Sequence, residues 1–216
     1  MTFCLDTTVI KPENNFEIKN AIILLHGYGG DGKDISGLSL HWKRHLPNTI
    51  FICPNGHERC HINPSGYQWF DLSNEDPKYI LAQSQKAEKK LNQFINEVKK
   101  EYNIDNDKIC LSGFSQGCMM SINLGLTADK EFNCIVGFSG KIIDPDDLKL
   151  RKKVATRTLL IHGDGDQIVM PNFLLEAKDF FIRNEIEIET HIIKNCDHRI
   201  PIEASSIALN YILKKF

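Results

Sequence analysis

The sequence lacks a long apolar run, a strong net charge and a paired-cysteine motif. No apolar run approaches the ~20 residues that a helix needs to cross a bilayer, so we expect no membrane-spanning helix. The formal net charge is −2 over 216 residues, which gives no reason to expect nucleic acid or an anionic membrane as a partner. The seven cysteines are odd in number and contain no C-x-x-C pair. They are typical of buried thiols in a reducing compartment.

The first residues also lack the features of a secretory signal. Met1–Asp6 contains neither a basic segment nor an apolar one, so we expect no signal peptide and a cytoplasmic location. The composition, with 42% hydrophobic and 25% charged residues, is that of a globular protein. The length suits one domain that covers residues 1–216.

Short apolar runs alternate with helical patterns along the chain. Buried strands are predicted at 21–25, 49–53, 108–112, 134–138 and 158–161, a half-buried edge strand at 186–192, and a marginal edge strand or hairpin at 2–10. Helices are predicted near 34–45 and at 77–102, 118–124, 173–182 and 201–216. This alternation predicts an α/β protein with a doubly wound, mainly parallel sheet.

The most informative stretch is Gly113–Gly117, which lies between a predicted strand and a predicted buried helix. Its G-x-S-x-G pattern, in this strand–turn–helix context, is that of a nucleophile elbow. The two glycines allow a tight turn that lifts the Ser115 hydroxyl clear of the sheet. The alternative is a serine between two glycines in an ordinary loop. A nucleophile elbow therefore requires that the rest of the chain supply an acid, a base and oxyanion donors.

Two further loops at the carboxyl ends of predicted strands supply the acid and the base. One follows the strand at 158–161 and contains Asp166, and the other precedes the last helix and contains His198. Ligands bind at this edge of such a sheet, and the order Ser, Asp, His is that of α/β-hydrolase triads. Singly, Asp166 could be a turn residue and His198 a surface histidine. Jointly, they predict a catalytic triad of Ser115, Asp166 and His198.

Four other residues compete for these roles. Asp164 directly follows a glycine, and we expect its side chain to hold the turn. His191 lies inside the alternating edge strand, whereas His26 and His162 each end a strand before a glycine. We expect these histidines to be structural.

The glycine-rich loop Gly27–Gly32 fits two different patterns. It matches the G-x-G-x-x-G fingerprint of dinucleotide-binding proteins, which also requires an acidic residue at the end of the next strand. That strand ends in Cys53–Asn55 without one. The loop fits better as an oxyanion loop, with the amides of Tyr28 and Gln116 as donors. A dinucleotide-binding oxidoreductase is kept as an alternative.

The stretch His57–His61 is a literal H-E-x-x-H zinc motif. Zinc needs both histidines on one face of a sustained helix. The loop signals at Pro54–Gly56 and Pro64–Gly66 leave room for a helix of at most two turns between them. We therefore predict no metal site. A serine mechanism needs no organic cofactor either.

Together the motifs resemble the phospholipase/carboxylesterase family, which includes bacterial carboxylesterases and acyl-protein thioesterases. The resemblance runs from about residue 20 to the C-terminus, and it is carried by Leu25–Gly29, Asn63-Pro64, Gln68–Asp71, the elbow, His162-Gly163-x-x-Asp166 and His198. It implies a small α/β-hydrolase without a large cap domain that acts on small acyl esters. It also implies that Trp69 and Ile168 lie near an acyl-binding groove.

One position departs from the thioesterase branch of this family. Gly30 stands where the eukaryotic thioesterases usually have aspartate, and the loop is more similar to that of the bacterial esterases. The resemblance therefore implies a carboxylesterase, or a lysophospholipase, with acyl-protein thioesterase as the alternative. We expect neither a nucleic-acid partner nor stable membrane insertion.

Overall fold

The computed structural model describes residues 3–13 and 16–216, which form a seven-stranded sheet and a separate two-stranded hairpin. In chain order the strands are β1 (Thr7–Ile10), β2 (Asn20–Leu25), β3 (Thr49–Pro54), β4 (Glu58–Arg59), β5 (Tyr67–Gln68), β6 (Ile109–Phe114), β7 (Cys134–Phe138), β8 (Thr158–Gly163) and β9 (Ile188–Ile193). The large sheet has the order β1-β3-β2-β6-β7-β8-β9, and β4 pairs with β5. Only β1 runs antiparallel to its neighbour in the large sheet.

Helices cover both faces of the sheet. They are α1 (Gly32–Ile35), α2 (Gly37–Trp42), α3 (Pro77–Tyr102), α4 (Gln116–Thr127), α5 (Pro145–Arg151), α6 (Asn172–Arg183) and α7 (Ile202–Lys215). Residues of α1, α2 and α7 share one apolar cluster, and residues of α3, α4 and α6 fill the clusters of the other face. The predicted doubly wound, mainly parallel sheet is confirmed.

Strand β2 shows why the central strands are continuously apolar. Successive side chains of a strand point to opposite faces, and both faces are covered by helices. Ile22 and Leu24 accordingly join the cluster under α7, whereas Ile23 and Leu25 join the cluster under α3. Burial on both faces places the end of β2, and the glycine loop that follows it, at a fixed position.

The long helix α3 begins and ends with the expected local signals. The side chain of Asp76 accepts a hydrogen bond from the Lys78 amide, Pro77 occupies the first turn, and Asn103 ends the helix in the left-handed conformation. Its apolar side is buried and its other side is charged, as predicted for 77–102. Within residues 3–13 and 16–216, no helix is both long and apolar enough to cross a membrane.

Two local predictions differ from the structure, and two elements of the structure were not predicted. The single helix expected near 34–45 is divided into α1 and α2, because the chain restarts its helix at Gly37, a poor helix former. The edge strand begins at Thr7, and residue 2 lies outside the described residues. Helix α5 and the β4–β5 hairpin were not predicted at all. That residues 1–216 form one domain stays a prediction.

Candidate active site

Ser115 occupies the turn between β6 and α4. Its backbone has φ 53° and ψ −116°, a combination that a residue with a side chain rarely adopts. The Ser115 amide donates to the carbonyl oxygen of Phe138 at 2.8 Å, which ties the turn to the adjacent strand β7. The strained turn that the sequence predicts is therefore present and is held by tertiary contacts.

The two glycines of the elbow are needed because backbone approaches them closely. A Cβ atom at Gly117 would overlap the carbonyl oxygen of Leu25, at the end of β2. A Cβ atom at Gly113 would overlap the carbonyl group of Gly117 itself. The elbow thus packs directly against β2, and a side chain at Gly117 would force the two apart, whereas a side chain at Gly113 would force the start of α4 away from the end of β6.

Ser115, His198 and Asp166 lie in one chain of hydrogen bonds. The Nε2 atom of His198 is 2.9 Å from the Ser115 Oγ atom, and the Nδ1 atom of His198 is 2.7 Å from Asp166 Oδ2. The His198 ring also lies against the Phe114 ring, with 4.7 Å between their centroids. When Nδ1 donates its proton to Asp166, Nε2 presents a lone pair to the serine hydroxyl. This arrangement can remove the serine proton.

The Asp166 carboxylate is held by both of its oxygen atoms. Its Oδ1 atom accepts hydrogen bonds from the amides of Ile168 and Val169, each at 2.9 Å, while Oδ2 faces His198. Burial raises the pKa of Asp166, but the hydrogen bonds from His198, Val169 and Ile168 outweigh burial and leave that pKa below its ordinary value. The group is therefore ionised at neutral pH.

The expectation that Asp164 holds the turn through its side chain is wrong. The Asp164 carboxylate is exposed, and its ion-pair partner is Lys194 at 3.7 Å. Asp166 instead accepts the turn amides, because its side chain points back into the loop that follows it. One aspartate thus both shapes the loop and contacts the histidine.

None of the three competing histidines has Ser115 among its hydrogen-bond partners in the described part of the chain. His26 is buried, with Nδ1 donating to the Gly27 carbonyl at 2.7 Å and Nε2 accepting from the Gly56 amide at 2.8 Å. His162 is buried, its Nε2 donates to the Val169 carbonyl at 2.7 Å, and the same atom lies 3.4 Å from Asp166 Oδ2, on the side of the carboxylate that also faces His198. His191 lies beside Glu189, with 2.8 Å between Nε2 and Oε1. Each ring therefore has a local partner.

The two predicted oxyanion donors belong to segments that lie next to Ser115. Gly27 passes so close that an added Cβ would lie 3.4 Å from the Ser115 Cβ, and Tyr28 is the next residue. Gln116 directly follows Ser115 and begins α4. Within the described parts of the chain, neither amide donates to another protein group. Burial and a hydrogen bond with Cys60 raise the pKa of Tyr28 to about 12, so its phenol stays neutral.

The Gln116 side chain and Trp69 link the two segments that carry the predicted oxyanion donors. Gln116 Oε1 accepts from the Trp69 amide at 2.8 Å, and Gln116 Nε2 donates to the Phe70 carbonyl at 2.7 Å. The Trp69 indole stacks on His26, 4.9 Å between centroids, and donates to the His26 carbonyl at 2.9 Å. These contacts fix the start of α4 relative to the end of β2.

Trp69 and Ile168, both expected near an acyl groove, differ in exposure. The Trp69 side chain is 0% exposed and stacks on His26 inside the site. Ile168 is 74% exposed, and its amide is bonded to Asp166. The sequence resemblance could not separate these cases, because both residues follow a strand end. That Trp69 and Ile168 lie near an acyl groove stays a prediction.

The β4–β5 hairpin clamps the glycine loop, a role that sequence analysis missed. The Gly29 amide donates to the Tyr67 carbonyl at 2.9 Å, and the Tyr67 amide donates to the Gly30 carbonyl at 2.8 Å. The Asn63 amide group adds a bond to the Gly29 carbonyl at 2.7 Å. The Asn63-Pro64 and Gln68–Asp71 motifs were the sequence signal for this contact, since they lie in and beside the hairpin.

The H-E-x-x-H stretch does not form the helix that a zinc site of this type requires. Glu58 lies in strand β4, the His57 Nε2 atom is 3.5 Å from Glu58, and the His61 Nε2 atom is 3.8 Å from Asp71. The two histidines therefore face different carboxylates. In residues 3–13 and 16–216, no three histidine, cysteine, aspartate or glutamate side chains are grouped to hold a metal ion.

The buried histidines predict a fold that weakens in mild acid. Burial lowers the pKa of His26 and of His162 below the ordinary value of about 6.5. The unfolded chain therefore binds protons that the folded chain does not bind, and the free energy of unfolding falls as the pH drops below about 6.5. The lowered pKa of Asp166 weakens the fold only in stronger acid, below about pH 4.

We expect the urea midpoint to fall between pH 7.5 and 5.5, and to fall less steeply in His26→Gln than in the wild type. His41 is exposed, so His41→Gln is the matched control and should follow the wild-type slope. If the urea midpoint falls equally with pH in His26→Gln and in the wild type, the lowered pKa of His26 is not a cause of the weaker fold in acid.

The sheet, its order and the elbow at the end of β6 define the α/β-hydrolase fold. A family model described as Phospholipase/Carboxylesterase matches residues 6–215. The chain therefore belongs to the phospholipase/carboxylesterase family, as the sequence motifs predicted.

Three proteins show what this chain is similar to. The acyl-protein thioesterase 1 of Saccharomyces cerevisiae is 29% identical over 189 residues, which is 82% of each chain. The crystal structure of esterase PE8 has a TM-score of 0.93 and 30% identity, and the match covers 98% of this chain and 99% of that one. The carboxylesterase of Bacillus cereus shares the fold, with a TM-score of 0.79, 19% identity, and coverage of 99% and 95%. The predicted class, an ester hydrolase, is confirmed at the level of the family.

Proposed function

We propose that this protein is a carboxylesterase in which Ser115 is the nucleophile, His198 the general base and Asp166 the group that orients His198. The single observation that carries this proposal is the continuous hydrogen-bond chain, 2.9 Å from Ser115 to His198 and 2.7 Å from His198 to Asp166. Three side chains from three different strand ends meet in the geometry that acyl transfer requires.

Acylation follows from that geometry. His198 Nε2 takes the proton of Ser115 as Oγ forms a bond to the ester carbonyl carbon, and the carbonyl oxygen becomes an oxyanion. The free amides of Tyr28 and Gln116 donate to this oxyanion, and Asp166 stabilises the imidazolium. The bond from the carbonyl carbon to the alcohol oxygen then breaks, and His198 gives its proton to the departing alcohol.

Deacylation repeats the same steps with water. His198 removes a proton from a water molecule, the water oxygen bonds to the acyl carbon, and the same two amides hold the oxyanion. The bond to Ser115 Oγ breaks, the serine regains its proton from His198, and the carboxylic acid leaves. Each proton moves through His198, so no metal ion or organic cofactor enters the proposed reaction.

A second candidate is hydrolysis of protein-bound acyl thioesters. It is favoured by the name of the relative in Saccharomyces cerevisiae, an acyl-protein thioesterase. Gly30, where the thioesterases usually have aspartate, favours the esterase instead, as does the similarity to esterase PE8. The same catalytic groups serve both reactions, since a thiol can leave in place of an alcohol.

A panel of substrates separates the candidates. We expect p-nitrophenyl esters of graded acyl length to be hydrolysed, with kcat/KM for the best ester at least about tenfold above that for a lysophospholipid and for an acyl thioester of the same acid. Reversed preference for the thioester would favour the second candidate. No hydrolysis of any of them, together with saturable binding of NADH, would favour the dinucleotide alternative and overturn the proposal.

The proposal includes a cytoplasmic location. All seven cysteines are free thiols, and six of them are buried. A chain with this many unpaired cysteines suits a reducing compartment.

A further inference from the structure

An open cleft of about 430 Å³ lies beside His198. Its walls include Gly27, Tyr28, Ile35, Leu38, His198 and Ile200. The volume is within the roughly 300–1,000 Å³ that is usual for small-molecule sites. Neither Ile168 nor Trp69, the residues expected near an acyl groove, lines this cleft.

The position of the cleft relative to His198 determines which part of an ester can enter it. His198 must give its proton to the oxygen atom of the departing alcohol, so that oxygen has to lie next to Nε2. The group attached to that oxygen then extends along the His198 side of the site. Phe114, Arg199 and Ile200, the chain neighbours of Ser115 and His198, line the cleft on this side.

We infer that the cleft is the leaving-group subsite and that it selects an apolar, uncharged alcohol or phenol. This inference rests on the proposed esterase function and adds to it the chemical class of the leaving group. The acyl chain occupies a different part of the site.

The side chains of the cleft support an apolar, uncharged occupant. Ile35, Leu38 and Ile200 provide apolar walls. The charged side chains that line it are those of Asp34 and Arg199. Arg199 is matched by Asp197, 2.7 Å from Nε to Oδ1, whereas Asp34 has no ion-pair partner in the described part of the chain. An anionic leaving group would face this unmatched carboxylate, which disfavours it.

Gly37 offers a way to fill the cleft without disturbing the core. It lines the cleft, and a Cβ atom there would meet no other atom within 4 Å. A larger side chain also suits its position in α2 better than glycine does. Gly37→Phe should therefore narrow the subsite while the fold is kept.

The test uses esters of one acid, butyric acid, with methanol, benzyl alcohol or naphthol as the leaving group. The value of kcat/KM for each ester in Gly37→Phe is divided by its wild-type value, so that the intrinsic reactivity of each alcohol cancels. We expect naphthyl butyrate to lose about 10- to 200-fold more than methyl butyrate, the range for removing one favourable apolar contact in a pocket. A carboxylate on the naphthyl ring should lower wild-type kcat/KM, and Asp34→Asn should recover part of that loss.

Two further variants serve as controls for Gly37→Phe. Leu40→Phe places the same side chain on α2 at a residue that is 67% exposed and does not line the cleft, and it should leave the naphthyl-to-methyl ratio at its wild-type value. Leu38→Ala enlarges the cleft and should shift the ratio towards naphthyl butyrate. If Gly37→Phe fails to fold, the Leu38→Ala ratio decides the question.

The outcomes separate this inference from the proposed function. If the Gly37→Phe loss grows with acyl length among methyl esters, and deacylation slows in parallel, the acyl chain occupies the cleft and the inference is overturned. An unchanged ratio in both cleft variants overturns it as well. Failure of the esterase proposal would instead show as no Ser115-dependent hydrolysis in the wild type.

Discussion

Ser115→Ala is expected to lower the kcat for ester hydrolysis by about 10⁶-fold, the loss seen when the nucleophile of a serine protease is removed. In the proposed mechanism the hydroxyl forms the covalent bond, and alanine leaves His198 with no serine proton to accept. The backbone of the turn is held by the Phe138 carbonyl and by the packing of Gly113 and Gly117, so the fold should persist. Steady-state kinetics with a p-nitrophenyl ester measures the loss, and circular dichroism checks the fold.

Ser121 provides the matched control for this change. It is buried in α4, the helix that follows Ser115. Its hydroxyl donates to the Gly117 carbonyl at 2.9 Å and does not contact His198. Ser121→Ala should therefore keep kcat within a few-fold of the wild type. Esterase activity in Ser115→Ala close to that of Ser121→Ala would contradict the assignment of the nucleophile.

Asp166→Asn is expected to lower kcat by about 10³- to 10⁴-fold, the size of the analogous loss in a protease triad. The structure fixes how the new amide is oriented. The oxygen at Oδ1 stays with the amides of Ile168 and Val169, which places the NH₂ group against His198 Nδ1. Nδ1 must then accept, Nε2 must carry the proton, and the ring can no longer take the proton of Ser115.

Asp164→Asn removes a carboxylate two residues away and serves as the control. Its exposed ion pair with Lys194 is worth little, so both stability and kcat should stay near wild-type values. The two variants are compared by kcat at pH 8 and by urea denaturation. A large loss in Asp164→Asn beside a small one in Asp166→Asn would show that the acid is wrongly assigned.

The sequence predicts the parts of this fold that depend on local rules. Buried strands covered on both faces must be continuously apolar, and β2, β3, β6, β7 and β8 were all found in this way. The elbow was recognisable because only glycine fits where Gly113 and Gly117 touch neighbouring backbone. The order Ser, Asp, His follows from the topology of the sheet.

Other features depend on contacts that are distant in the sequence. Strands β4 and β5 have two residues each, too few to show a period, and α5 buries only Leu148. The bonds from the Gln116 side chain to Trp69 and Phe70 span more than 40 residues. The resemblance implies that Trp69 lies near an acyl groove, but its complete burial is visible only once the helices are packed.

The most direct test of the central claim, that Ser115 is the nucleophile, is to locate the covalent adduct formed with a fluorophosphonate. The protein is treated with the probe, residual esterase activity is followed, and the modified residue is identified by peptide mass spectrometry. The account predicts one adduct per chain, on Ser115, that forms in step with the loss of activity and much more slowly in Asp166→Asn. An adduct on another residue that tracks inactivation, or full activity in protein completely modified at Ser115, would contradict it.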